Sequence, residues 1–344
     1  MALSAPTGVH ETYALSVVIA VVSVLSAVGA GWIILSFLLF EGQRTFRHQL
    51  ILGLALSDLW MALNFLTSAS INVHGTSIGD ASMKGFCTFN GFMIQTFVVQ
   101  SNLSHSKYQR QTNSVLADYW VLTIALCTYS ILANHKHFSN WIQSHKLVIW
   151  ALPWASSILW ASIGLGVWGY GDIGAWCWFT SDRVRLLVNF IPRWLIIFTI
   201  LFLYIRLYYI IHAAHTRFET FDSDIVASTS NPHLSLHISE GTEPDCEAAA
   251  PPPSTFQVSR DTKALRRISL QMMVYPLVYM LIWTMPTTVR IYQATSGRSA
   301  PFVVGTIDKA CIVVQGLADA IIYGLNERTW RLWRDLLFRP RSKD

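Results

Sequence analysis

Cys87-Thr-Phe-Asn-Gly-Phe-Met-Ile-Gln-Thr-Phe-Val-Val-Gln100 and Tyr119-Trp-Val-Leu-Thr-Ile-Ala-Leu-Cys-Thr-Tyr-Ser-Ile-Leu-Ala133 are two largely apolar runs separated by Ser101–Asp118, which is almost entirely polar. At 1.5 Å per residue the second run spans only about 22 Å, short of the ~30 Å hydrocarbon core of a bilayer, whereas the two joined make about 45 Å. One long, tilted central membrane helix interrupted by a polar insertion is therefore expected. The insertion cannot lie in lipid, because Lys107, Arg110 and Asp118 would each cost about 2.5–3.5 kcal/mol at the bilayer centre. Removing the residues between Gln100 and Asp118 restores an unbroken apolar helix, so a retained intron is the leading expectation for this segment.

The composition around that stretch agrees with a membrane protein. Of 344 residues, 52% are hydrophobic and 13% charged, against about 25% charged in an ordinary soluble domain. The first apolar run, Tyr13–Phe40, is too long for a signal h-region and Met1–Glu11 lacks a basic n-region, so a first membrane helix is expected rather than a cleavable leader. The net charge of +5 does not point to nucleic acid, since the excess sits at helix ends and no basic-aromatic array is present. Five cysteines, the nearest two being Cys87 and Cys127, have no metal-ligand spacing, and no cofactor is expected.

In chain order, 1–12 reads as a short extracellular amino terminus and 13–212 as membrane helices 1–5, with 101–118 inside helix 3. Helix 1 is expected at Tyr13–Phe40, helix 2 at Gln49–Asn72, helix 4 at Leu147–Trp168 and helix 5 at Val184–His212, with Pro192 inside it. Residues 213–261 are rich in Ser, Thr, Asp, Glu and Pro, with a low-complexity patch at 248–253. They cannot bury enough apolar surface to offset ordering entropy, so a disordered cytoplasmic loop is expected. Helices 6 and 7 fill 262–325, at Thr262–Tyr292 and Pro301–Leu325. In 326–344, Trp330, Trp333, Leu336 and Leu337 share one face of an amphipathic helix lying on membrane lipids, followed by a basic tail. The fold class is an all-α membrane protein, a seven-transmembrane helix bundle with a C-terminal amphipathic surface helix. Lys and Arg favour the loops after helices 1, 3 and 5 and the tail, which puts the amino terminus outside and the carboxy terminus in the cytoplasm. Arg183, Arg185, Arg290 and Arg298 weaken that signal without reversing it.

With that orientation Cys87 and Cys177 both face an oxidising compartment. A disulfide between them is feasible, the alternative being two free thiols. Asp58 and Asp319 are carboxylates inside membrane helices, where such groups face the bundle or water. With Asn64 and with Tyr323, one turn after Asp319, they are expected to form a polar cluster that switches helix 7, although a purely structural hydrogen-bond role serves nearly as well. Pro276 and Pro286 interrupt the hydrogen-bond ladder of helix 6 and create bends where it can pivot. Asn90, Gln95, Asn189, Arg193, Trp283, Arg290, Asp308 and Lys309 fall in the outer half and are candidates to line a ligand cavity. Arg193, Arg290 and Lys309 suit an anionic or phosphate-bearing ligand, while interfacial Arg and Trp also commonly just anchor helices. At the inner end of helix 6, Lys263, Arg266 and Arg267 suit an acidic or carboxy-terminal partner group, and a positive-inside anchor explains them equally well.

Cys87 with Asn90-Gly-Phe, Trp176-Cys177-Trp178, Tyr275-Pro-Leu-Val-Tyr-Met-Leu-Ile-Trp283 and Tyr323-Gly-Leu-Asn-Glu-Arg328, in this order on seven helices, resemble a G-protein-coupled receptor. The pattern is similar to the cAMP-receptor-like group of slime moulds and fungi, which includes fungal nutrient-sensing relatives, and it covers 13–338 apart from the insertion and the long third cytoplasmic loop. Ser130–His135 stands where rhodopsin-like receptors carry an acidic-Arg-aromatic set, in keeping with that group. The resemblance implies a plasma-membrane receptor with an outer cavity for an extracellular small molecule, nucleotide- or nutrient-type. It also implies outward movement of helix 6 that opens a cytoplasmic cleft for a heterotrimeric G protein.

An enzyme is not expected, since no intramembrane metal set, nucleophile elbow or phosphate loop occurs. Two rivals remain. A retinal-binding photoreceptor is suggested by Lys309 in helix 7, but Lys309 lies nearer the outer end than the middle. A small-solute transporter would typically show repeated halves, and none is found.

Overall fold

The computed structural model describes residues 8–41, 46–99, 119–132, 141, 144–229, 255–326 and 329–338. The helices are α1 (Val9–Leu39), α2 (Phe46–Val73), α3 (Lys84–Val99), α4 (Tyr119–Leu132) and α5 (Lys146–Val167). A two-stranded hairpin, β1 (Gly171–Asp172) and β2 (Cys177–Trp178), follows α5. Then come α6 (Asp182–Arg185), a π turn (Leu186–Phe190), α7 (Ile191–Thr229), α8 (Thr255–Ser296), α9 (Phe302–Val313), α10 (Gln315–Asn326) and α11 (Thr329–Phe338). Among the described residues, Val9–Leu39, His48–Val73, Leu147–Val167 and Asp182–Ile210 are long and apolar enough to cross a membrane.

The first helix distributes its side chains unlike a helix of a soluble bundle. On α1 the buried positions include Ser16, Ser23, Ser26, Gly29, Ala30 and Ser36, while Val17, Val21, Val24, Leu25, Val28, Leu35 and Leu38 are exposed. Where the surroundings are hydrocarbon, apolar surface gains little by turning inward. Small residues that let backbones approach closely then occupy the interior. Gly29 shows the consequence, since a Cβ there would lie 3.0 Å from that of Ala320 on α10.

Three features differ from the expected helices, each for a local reason. Helix 5 begins at Asp182 and contains a π turn over Leu186–Phe190, immediately before Pro192. A proline lacks the N–H that would close the regular ladder one turn back, and a widened turn accommodates that loss. Helix 7 is divided into α9 and α10 at Val314 (φ −72°, ψ −7°). There the Ser26 hydroxyl of α1 donates to the Val313 carbonyl at 2.5 Å and accepts from Leu317 N at 3.4 Å, so a side chain replaces part of the helical ladder. Finally, α7 reaches Thr229 and α8 begins at Thr255, so both helices enter the 213–261 stretch expected to be a loop. A helix once nucleated gains one bond per added residue, which favours such extensions. Residues 230–254, with the 248–253 patch, lie outside the described residues, as does the 101–118 insertion.

The main core draws Leu15 and Ile19 of α1, Met61 and Phe65 of α2, Ile94 and Phe97 of α3, and Leu122 and Ala125 of α4 together with Trp176, Trp178 and Phe179. Ile197 and Ile200 of α7, Tyr279 and Trp283 of α8 and Ile312 of α9 complete it. Thus α3 and α4 pack into one core.

Candidate functional site

One end of the bundle is organised by the hairpin between α5 and α6. Cys87 on α3 and Cys177 on β2 form a disulfide with Cα atoms 5.3 Å apart. Gly174, at φ +105°, permits the turn, and its N–H donates to Asp172 Oδ1 at 2.7 Å. Asn72 at the end of α2 donates to the Gly174 carbonyl at 2.9 Å and accepts from Ile78 N at 3.1 Å. Trp176 packs edge-on against Phe65 with ring centroids 4.6 Å apart. Ile173 through Phe179 are consequently buried, closing this end with aromatic side chains. Burial raises the Asp172 carboxyl above its ordinary value, opposed by the Gly174 N–H and Lys309 and reinforced by Asp80. Burial likewise raises the Tyr170 hydroxyl, which donates to the Ala161 carbonyl at 2.8 Å.

Beneath this cover lies a layer of polar side chains. Gln95 accepts from Trp178 Nε1 at 2.6 Å and donates to Asn189 Oδ1 at 3.0 Å, linking α3, the hairpin and the π turn. The Arg193 guanidinium sits 3.3 Å from the Trp283 ring centroid, a cation–π contact, and Phe190 meets the same indole edge-on. Arg290 donates from Nη2 to Asp308 Oδ2 at 2.9 Å and from Nη1 to Gln293 Oε1 at 2.6 Å. Its Nη1 also lies 3.5 Å from Asp182 Oδ1, which in turn pairs with Arg185. Lys309 lies in the field of both Asp308 and Asp172. All eight expected ligand candidates are buried, none more than 2% exposed.

Their roles divide. Asn90 accepts from Cys177 N at 3.1 Å and donates to the Asn64 carbonyl at 3.4 Å, so it anchors the hairpin rather than facing open space. Among the described residues Asn189 Nδ2, Trp283 Nε1, Arg290 Nε and Asp308 Oδ1 are buried without a hydrogen-bond partner. Polar atoms withdrawn from water and left unpaired cost about 1–3 kcal/mol each. Three of these four are donors. The arrangement therefore offers donors to an oxygen-rich ligand.

The sequence reading missed Asp182, Arg185, Trp178 and Gln293 as members of this layer. Arg185 had counted only against the charge rule for orientation, yet it is fully buried.

Away from the hairpin, Asp58 of α2 and Asp319 of α10 are both buried and lie in each other's field. Gly316 makes room, since a Cβ there would lie 3.1 Å from that of Asp58 and 3.2 Å from the Ser26 carbonyl oxygen. Tyr323 stacks edge-on with Trp32 and His48 at 5.9 and 6.5 Å. Asn64 does not join this cluster. Its Nδ2 donates to the Trp60 carbonyl at 3.0 Å, and six positions of helix place it about 240° around α2 from Asp58. The helix of α8 runs unbroken through Pro276 and Pro286. Lys263, Arg266 and Arg267 fall on the same helix, with side chains outside the described set.

Two family models match the chain. One, described as G protein-coupled glucose receptor regulating Gpa2, matches residues 10–218, and the model of its C-terminal part matches 259–332. Ascaroside receptor GPR2 of Arthrobotrys oligospora is 37% identical over 98% of this chain and 94% of its own length. Ascaroside receptor GPR3 of the same organism is 32% identical over 94% and 86%. Cyclic AMP receptor-like protein A of Dictyostelium discoideum is 26% identical, over 54% of this chain and 42% of its own length. Among solved structures, squid rhodopsin superposes with a TM-score of 0.64 at 15% identity, covering 97% of this chain and 87% of that one.

Proposed function

We propose that this chain, which belongs to the family of G protein-coupled glucose receptors regulating Gpa2, binds an extracellular small molecule in the buried polar layer under its hairpin. The chain is a multi-pass membrane receptor and not an enzyme. Seven spans are assigned as α1, α2, α3 continued by α4, α5, α6 continued by α7, α8, and α9 continued by α10. The amphipathic α11 lies on lipid, with Trp330, Leu336, Leu337 and Phe338 exposed. The amino terminus is outside the plasma membrane and the carboxy terminus is in the cytoplasm.

The observation that carries the ligand assignment is the set of buried donors without partners at Asn189, Trp283 and Arg290. A polar ligand satisfies them, and the energy it gains is larger than at a surface because water is excluded. Signal then passes along α8 and α9–α10 to the Asp58–Asp319 pair and Tyr323, and α8 moves outward to admit the G protein. Lys263, Arg266 and Arg267 contact that partner.

The test uses purified full-length receptor in lipid nanodiscs with a heterotrimeric G protein, measuring nucleotide exchange. Glucose, cyclic AMP and ascarosides, the compounds named for relatives, form the panel. Stimulation by at least one supports the reading, and a flat response to all of them rejects these ligand classes.

A further inference from the structure

The Arg290 guanidinium is half used on the edge best suited to an oxyanion. A carboxylate or phosphate binds a guanidinium most strongly through two parallel bonds. On the Nε–Nη2 edge, Asp308 supplies one oxygen to Nη2 at 2.9 Å. Nε of Arg290 and Oδ1 of Asp308 are both buried and without a hydrogen-bond partner among the described residues. The other edge is occupied, with Nη1 on Gln293 and close to Asp182. Asp308 is thus a one-bond occupant of a two-bond site, and an incoming oxyanion that takes both Nε and Nη2 outcompetes it.

Geometry also couples this exchange to helix position. Arg290 belongs to α8, Asp308 to α9 and Asp182 to α6, so the network ties the outer ends of three helices. Breaking one member of a buried ion network leaves its partner uncompensated and is costly. The ties therefore hold unless a replacement charge arrives.

We infer that the Nε–Nη2 edge of Arg290 is an anion subsite of the receptor's ligand layer, and that a ligand carboxylate or phosphate displaces Asp308 there and releases the outer end of α8 from α9. This rests on the ligand-layer reading above and adds to it the charge of the ligand and the contact whose loss begins activation. It also gives Asp308 the part of a built-in competitor rather than a ligand contact.

The experiment reads nucleotide exchange by the reconstituted full-length receptor with its G protein and no organic ligand, replacing chloride by inorganic phosphate or by acetate at constant ionic strength. Exchange by the natural chain should rise about fivefold or more with at least one of them, the low end of ordinary coupling between sites. A response to phosphate over acetate assigns a phosphate-bearing ligand, and the reverse a carboxylate. Asp308→Asn should be as active without added anion as the natural chain with it. Arg290→Gln should be blind to both anions. Because either single variant can misfold, the exchanged pair Arg290→Asp with Asp308→Arg is measured alongside and should return to low basal activity. Exchange indifferent to both anions, or Asp308→Asn no more active than the natural chain, overturns the inference. The readout needs no agonist, so a failed ligand panel leaves this result independent of it.

Discussion

A Cβ on Gly91 would sit 2.4 Å from Tyr170 Cβ and 3.2 Å from the Cys177 carbonyl oxygen, so a glycine is required where α3 meets the hairpin. Gly91→Val forces the hairpin away and should cost about 1–3 kcal/mol, seen as a lower melting temperature of the purified receptor and less protein at the cell surface. Asp172 at the hairpin gives a pH signature. Its carboxyl is raised above the ordinary 3.8 by burial, so the folded chain holds the proton more tightly than the unfolded one. That contribution is fully present below 3.8 and is lost as pH rises through the raised value. Relative to Asp172→Asn, the natural chain should therefore lose melting temperature over that interval, and parallel pH profiles would refute the assignment. At this scale the sequence was informative where residue type decides: Gln95, Arg193, Arg290 and Lys309, expected either to line a cavity or to anchor helices, are buried. It was uninformative where helical phase decides, as for Asn64, and where a charge near a membrane boundary can face either way, as for Arg185.

Among the elements, the disulfide, the π turn and the break at Val314 set where the polar layer sits. The pairing of Cys87 with Cys177 was legible as a feasible bond, because the expected orientation put both thiols in an oxidising compartment. The break was not, because its cause is the Ser26 hydroxyl, brought to Val313 from 287 residues away in the chain. No local pattern in 302–326 announces it. Cys87→Ser and Cys177→Ser should each destabilise the receptor by about 2–4 kcal/mol, with the double variant no worse than either single one in a thermal melt. A double variant clearly worse than the singles would mean that the thiols act separately. On α8, replacing Lys263, Arg266 and Arg267 with Glu should abolish G-protein activation while leaving the amount of receptor at the surface unchanged. Retained activation would leave these residues as positive-inside anchors.

For the molecule as a whole, helix type and order followed from hydropathy, whereas the small and polar side chains that α1 buries are a matter of packing between helices that hydropathy does not report. What hydropathy could not supply was the pairing of polar side chains such as Gln95 with Asn189 and Arg290 with Asp308, because it joins helices distant in sequence. The segment between α3 and α4 bears on the whole chain too. α3 and α4 both contribute to the main core, so deleting residues 101–117 should join them into one span and raise surface expression and nucleotide exchange together. A fall in both would mean that the segment is needed for folding. The measurement that bears most directly on the central claim is the agonist concentration–response of nucleotide exchange for the natural chain beside Asn189→Ala and Trp283→Phe with Arg193→Met, at matched surface expression. If the ligand is read by the buried layer, each loss of a contact worth about 1 kcal/mol moves the half-maximal concentration about five- to tenfold upward. Superimposable curves would place the ligand elsewhere and contradict the account.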